Sequence, residues 1–210
     1  MKRPIQVIYY YMAELREIRV YFGAIERLMR EETQTYLKSV SSEDEPGGNR
    51  FDYRRDMASM LEDGFPQYYR VSSLLVFWGI FEENFHHLCM SLSQHGGWTE
   101  MEPSGKDNGI DKYRKYLVEI VGWTIPNAEW QQLKNIQKIR NIFAHRSGYL
   151  KESNEAGALN LNISLVSVSP GAREKLNLNS DYIRTFLDTV EAFWLSLEKE
   201  CQKTLDLDKS

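Results

Sequence analysis

Leu74-Leu75-Val76-Phe77-Trp78-Gly79-Ile80-Phe81-Glu82-Glu83-Asn84-Phe85-His86-His87-Leu88-Cys89-Met90-Ser91-Leu92 lies near the middle of the 210-residue chain. Leu74, Trp78, Phe81, Phe85, Leu88 and Leu92 recur at steps of four and three, so a helix gathers them on one stripe. The pattern resumes from Pro66 after a polar stretch and stops at His95-Gly96-Gly97, where glycine can close a last turn. A helix this rich in Leu, Phe and Trp needs neighbours on which to bury its stripe, and the flanking sequence supplies them.

Upstream, Ile5 to about Leu37 places Tyr11, Leu15, Ile18, Phe22, Ile25 and Met29 at the same spacing between charged positions, which predicts a long amphipathic helix. Ser41 to Asn49 combines acids, Pro and two Gly, the chemistry of a solvated loop. Downstream, a polar connector from Glu100 to Gly109 precedes a short helical pattern around Asp111 to Val121. Pro126-Asn127 then opens a helix running towards His145, with Gly148 as its stop. Ala158 to Asn162 and Lys175 to Asn179 alternate with period two around Pro170-Gly171, a signal for a β-hairpin. Ser180-Asp181 caps a last helix on which Tyr182, Phe186, Val190, Phe193 and Leu197 share a face. The expected fold is all-α: an up-and-down helical bundle over residues 1–210 as a single domain, with a small β-hairpin before the C-terminal helix.

Composition agrees with a packed core. Apolar residues make up 42% and aromatics 12%, with five Trp, despite a mean hydropathy of −0.51. The longest apolar stretch, Val71 to Phe81, is too short to span a bilayer, and Met1-Lys2-Arg3-Pro4 leads into no signal-peptide pattern, so the expected location is the cytoplasm with no membrane partner. Cys89 and Cys201 both fall on apolar helical patterns and read as reduced core thiols rather than a redox pair. Net charge is −4, so nucleic-acid binding would require a local basic patch rather than a basic surface overall.

One helix carries an anomaly. Trp130, Leu133, Ile136 and Phe143 form its apolar stripe, and Arg140 falls four after Ile136 and three before Phe143. A guanidinium at that place must meet an acid, reach solvent, or face a cleft that receives an anion, because burying an unpaired cation costs several kcal/mol. Asn141 and His145 are four apart and share a face, so Arg140, Asn141 and His145 would present a cation, an amide and an imidazole together. That set suits metal-free phosphodiester chemistry. A base takes the 2′-hydroxyl proton of RNA, an acid protonates the leaving 5′-oxygen, and a cation stabilises the phosphorane. One copy supplies one such histidine, so two proton-transfer groups come most readily from two copies about a two-fold axis, and a homodimer is expected.

The stretch Trp130-x-x-Leu-x-x-Ile-x-x-Ile-Arg-Asn-x-x-x-His resembles the signature of HEPN-domain proteins, an Arg followed by a polar residue and then His. The Val71 to Cys89 helix with Glu82 also resembles their central helix. The resemblance covers roughly residues 66–200 and is strongest at Arg140 to His145. It implies an up-and-down bundle, dimerisation along the motif helices, and endoribonuclease activity in toxin–antitoxin or phage-defence systems, with an antitoxin or regulatory protein as a further partner and no cofactor. Arg140, Asn141 and His145 are then the expected catalytic residues. Some family toxins carry a Tyr two residues after the His that a partner nucleotidyltransferase modifies. Here the next Tyr is Tyr149, four residues on, which puts that control in doubt.

Around this set, Lys134, Lys138 and Arg146 would track an RNA backbone or serve as a plain solvated face. Glu82 would meet Arg140 across the bundle or face solvent. Glu83-x-x-His86 has the spacing of half a di-iron carboxylate site, but no other His has Glu three before it, and the adjacent His86 and His87 diverge too far for joint chelation. Ser104-Gly105-Lys106-Asp107 lacks the residues of a phosphate-binding loop, and no nucleophile elbow, Cys-x-x-Cys or His-Glu-x-x-His occurs. The expected function is therefore a metal-independent endoribonuclease. The alternatives are a non-catalytic helical module that binds a protein partner or nucleotide, and an immunity-type partner whose Glu43-Asp44-Glu45 loop mimics phosphate.

Overall fold

The computed structural model describes residues 2–40, 49–99, 109–150, 166–169 and 174–207. Four long helices dominate it: α1 (Lys2–Val40), α3 (Phe65–His95), α5 (Asn127–Arg146) and α6 (Ser180–Leu207). A shorter helix, α2 (Asn49–Ser59), runs into α3 through a π-helical turn (Met60–Gly64), and α4 (Asp111–Lys115) continues into a second such turn (Tyr116–Ile120). Strands β1 (Val166–Ser169) and β2 (Lys175–Leu178) pair antiparallel between α5 and α6. The fold is all-α; among the described residues it is a helical bundle with one hairpin, and no helix there is long and apolar enough to cross a membrane.

The helix directions follow from the side chains that meet. Arg70 pairs with Glu26, and Asn84 with Glu14, so α1 and α3 run antiparallel. Arg19 reaches Asp188 and Glu191 while Tyr11 meets Trp194, so α1 and α6 are antiparallel too. Trp78 lies against Phe186 and Phe85 against Phe193 and Trp194, which makes α3 and α6 parallel. Trp130 meets Phe193, and Gln132 accepts from Thr189, so α5 opposes α6. The order α1, α3, α5, α6 therefore alternates, as an up-and-down bundle requires. The core lies where α3 and α6 face each other, with Trp78, Phe81, Phe85, Phe186, Phe193 and Trp194 all essentially buried.

Three local readings are corrected. The region before α3 contains helix from Asn49 onward. It connects to α3 without a break, and the Thr33 hydroxyl on α1 lies 3.1 Å from the Leu61 carbonyl in the loosened π turn. The first strand of the hairpin is Val166–Ser169, in register Val166↔Leu178 and Ser169↔Lys175, and the Ala158 to Asn162 segment lies outside the described residues. The cap of α6 is Asn179, whose Oδ1 accepts from the Tyr182 N–H at 2.9 Å, rather than Ser180-Asp181. Residues 41–48, 100–108 and 170–173, which carry the acidic loop, most of the connector and the Pro170-Gly171 turn, also lie outside the described residues.

Candidate functional site

Helix α5 begins after Pro126, which is extended at φ −61° and ψ 129°, and ends where Ser147 turns left-handed at φ 52°. Gly148 follows at φ 89°, and its N–H returns to the Ile142 carbonyl at 3.3 Å. A Cβ at Gly148 would come within 2.7 Å of the Phe143 ring, so glycine is needed for both the turn and the close approach. The chain then joins the hairpin: Leu176 N–H donates to the Gly148 carbonyl and Leu150 N–H to the Glu174 carbonyl, each at 2.9 Å. The segment that follows the last turn of α5 is thus tied to the hairpin by backbone hydrogen bonds.

The buried stripe of α5 is Trp130, Leu133, Ile136, Ile139, Ile142 and Phe143. Ile139 takes the core place three after Ile136 and four before Phe143. Arg140 therefore sits half-buried at the border of the stripe rather than inside it. Its Nη1 donates to Asn141 Oδ1 at 2.9 Å, whereas its buried Nε has no partner, and it forms no ion pair with an acid among the described residues. Asn141 and His145 are exposed on the same side of the helix one turn apart. Arg140 and Asn141 are thus brought into contact, with His145 beside them in the last turn, where the carbonyl end of the helix favours cationic side chains.

The surrounding cations are less alike than their spacing implied. Lys134 is held by Asp111 Oδ2 at 2.5 Å and Gln137 Oε1 at 2.7 Å. Lys138 is exposed, and Arg146 is half-buried with its carbonyl accepting from the Tyr149 N–H at 2.9 Å. Tyr149 is 42% exposed, and the Lys175 ammonium lies 5.4 Å from its ring centroid. Glu82 is not joined to Arg140. It lines a cleft of about 370 Å³ with Gly79, Glu83, His86, Lys112 and Tyr113 at the α3–α4 junction. Lys134, Gln137 and Asp111 form the contact that sequence reasoning missed, since nothing local links α5 to the start of α4.

Other candidates resolve into packing. His87 Nε2 meets Glu83 Oε1 at 3.1 Å on the surface of α3, while the His86 ring lies 5.7 Å from that of Tyr113. Cys89 and Cys201 are free and buried. Burial pushes the Cys89 thiol far up and that of Cys201 to about 11, so both stay protonated at neutral pH.

No family model, curated protein or solved structure matches the chain.

Proposed function

We propose that the chain is a metal-independent endoribonuclease of the HEPN type, cleaving RNA to 2′,3′-cyclic phosphate and 5′-hydroxyl ends as a toxin or defence effector. The observation that carries this reading is the state of Arg140. Its guanidinium holds the Asn141 amide and no described acid, and His145 stands exposed one turn further along the same helix. An arginine that served only the fold would be expected to pair with a carboxylate, as Arg70 does with Glu26 at 2.8 and 3.0 Å.

In this reading a neutral His145 removes the 2′-hydroxyl proton, and the oxygen attacks the adjacent phosphorus. The 5′-oxygen leaves with a proton from the imidazolium of the partner subunit's His145, across a two-fold axis through the α5 helices. Arg140 stabilises the charge on the phosphorane, and the Asn141 amide, held by Arg140, positions the phosphate. Lys138 is the exposed cation best placed to follow the RNA backbone, whereas Lys134, already bound to Asp111, supports α5.

The test is cleavage of total RNA and tRNA in EDTA by wild type, His145→Ala and Arg140→Ala, with the fold of each checked by circular dichroism. Cutting by wild type alone, with cyclic-phosphate ends, supports the site. Equal cutting by all three refutes it, and no cutting by any favours a non-catalytic helical module that binds a protein or nucleotide.

A further inference from the structure

Helix α1 buries one stripe, with Tyr11, Leu15, Ile18 and Phe22 in the core, and turns a second stripe to solvent. On that outer side Tyr10, Ala13, Glu17, Val20, the half-buried Ala24 and Arg27 follow one another at alternating steps of three and four, the spacing of a coiled-coil seam, which winds slowly around a straight helix. Val20 is 73% exposed and Tyr10 76%, although neither belongs in water, and Leu28 beside the seam is 53% exposed. The outer side of α5 differs, with Gln131, Lys138, Asn141 and His145 exposed.

The charges on the α1 seam identify an occupant. Its midpoint lies level with residue 22. Val20 and Ala24 flank that level closely, while Glu17 and Arg27 stand five residues either side, roughly 7.5 Å along the axis. Both charged residues are exposed, and neither has an ion pair among the described residues. A second α1 laid antiparallel about this midpoint puts each Glu17 beside the other copy's Arg27 and each Val20 beside the other copy's Ala24. The same register sets Tyr10 opposite Gln34, a phenol against an amide. A parallel second copy would set Glu17 against Glu17 and Arg27 against Arg27, like charges face to face.

We infer that the outer face of α1 is a self-association surface that takes a second copy of this chain, antiparallel, with reciprocal Glu17–Arg27 pairs around a Val20–Ala24 centre. This contact is separate from the proposed pairing of α5 helices. Should both form and close as a tetramer of two-fold symmetric contacts, loss of the α1 contact leaves the α5-paired dimer at half the mass.

The experiment is light-scattering mass of the full chain after size exclusion, at low salt, for wild type, Glu17→Arg, Arg27→Glu and the double exchange. All substitutions are on the exposed face, and circular dichroism checks that the fold is kept. The expected result is a halved mass for each single reversal and recovery of the wild-type mass in the double exchange. Val20→Glu, which places like charges at the centre, also halves the mass. A monomeric wild type, single reversals that leave the mass unchanged, or a double exchange that fails to recover it would each overturn the inference.

Discussion

The interface between α3 and α6 and the last turn of α5 represent two ways of holding side chains. At the first, Phe85 touches Phe81, Tyr113, Phe193 and Trp194 with ring centroids 5.1–6.3 Å apart. Each ring is positioned by several others, so geometry there is set by volume. At the second, Arg140 and His145 lie at or beyond the edge of the core, and their turn is held by Gly148 and its hydrogen-bonded link to β2. The core is robust because it is redundant. The candidate site lies at the surface and depends on a turn in which both Ser147 and Gly148 adopt a positive φ.

That contrast breaks most visibly at the core. Phe85→Ala is expected to cost about 3–5 kcal/mol in urea unfolding, since the surrounding helices cannot collapse onto the cavity. A loss under about 1 kcal/mol would show that the ring cluster is not the centre of stability. Glu26→Gln tests an intermediate case. Glu26 is only 4% exposed and neutralises Arg70, which also donates to the Leu178 carbonyl at 3.3 Å and so links α1, α3 and β2. Leaving that guanidinium without its carboxylate is expected to cost about 3 kcal/mol, towards the lower end for a buried pair because Arg70 is 22% exposed.

Gly148→Ala addresses the second region directly. Strain at φ 89° and contact with the Phe143 ring are expected to cost about 1–3 kcal/mol. Hydrogen exchange should show the damage first at Leu150 and Leu176, whose N–H groups join this segment to β2. Uniform loss of protection across the bundle would instead mean that the α5 end and the core unfold together.

The entrance to α5 supplies a smaller effect. Burial opposes ionisation of Glu200, but hydrogen bonds from Lys203 Nζ at 2.5 Å and the Thr124 N–H at 3.1 Å outweigh it and hold the carboxyl below its ordinary value. The folded-state pKa is therefore below that of the unfolded chain. Its contribution is complete above the unfolded value and disappears as pH falls through the folded one. Glu200→Gln should cost about 0.5 kcal/mol at neutral pH, with the difference from wild type vanishing in acid, as expected for a pair whose lysine is 69% exposed. Smallest of all, His145→Ala should change stability by less than about 0.5 kcal/mol, since the imidazole is exposed.

The four long helices were legible in the sequence because each carries a stripe at steps of three and four long enough to outweigh local noise. α2 was not legible: Asn49–Ser59 is strongly polar and has no such stripe, and it is helical as a continuation of α3 through the π turn. The hairpin was legible in kind but not in register. Several stretches between Ala158 and Asn179 alternate, and only pairing with Lys175–Leu178 selects Val166–Ser169. Arg140 was visible as an irregular member of its helix. Spacing alone could not decide whether it or Ile139 filled the stripe, because residues three and four apart both fall near the same face.

By itself, the sequence determined the helix class, the approximate positions of α1, α3, α5 and α6, a glycine stop after α5, and the presence of Arg140, Asn141 and His145 within two turns. Those properties depend on spacing along one helix. Only the tertiary structure decided that Lys134 is bound to Asp111, that Glu82 lines the α3–α4 cleft and is not joined to Arg140, and that Arg140 reaches Asn141 alone among the described side chains. Such partnerships join residues from separate elements or choose between near-equivalent rotamers, and they are set by how the helices pack rather than by the period of any one of them.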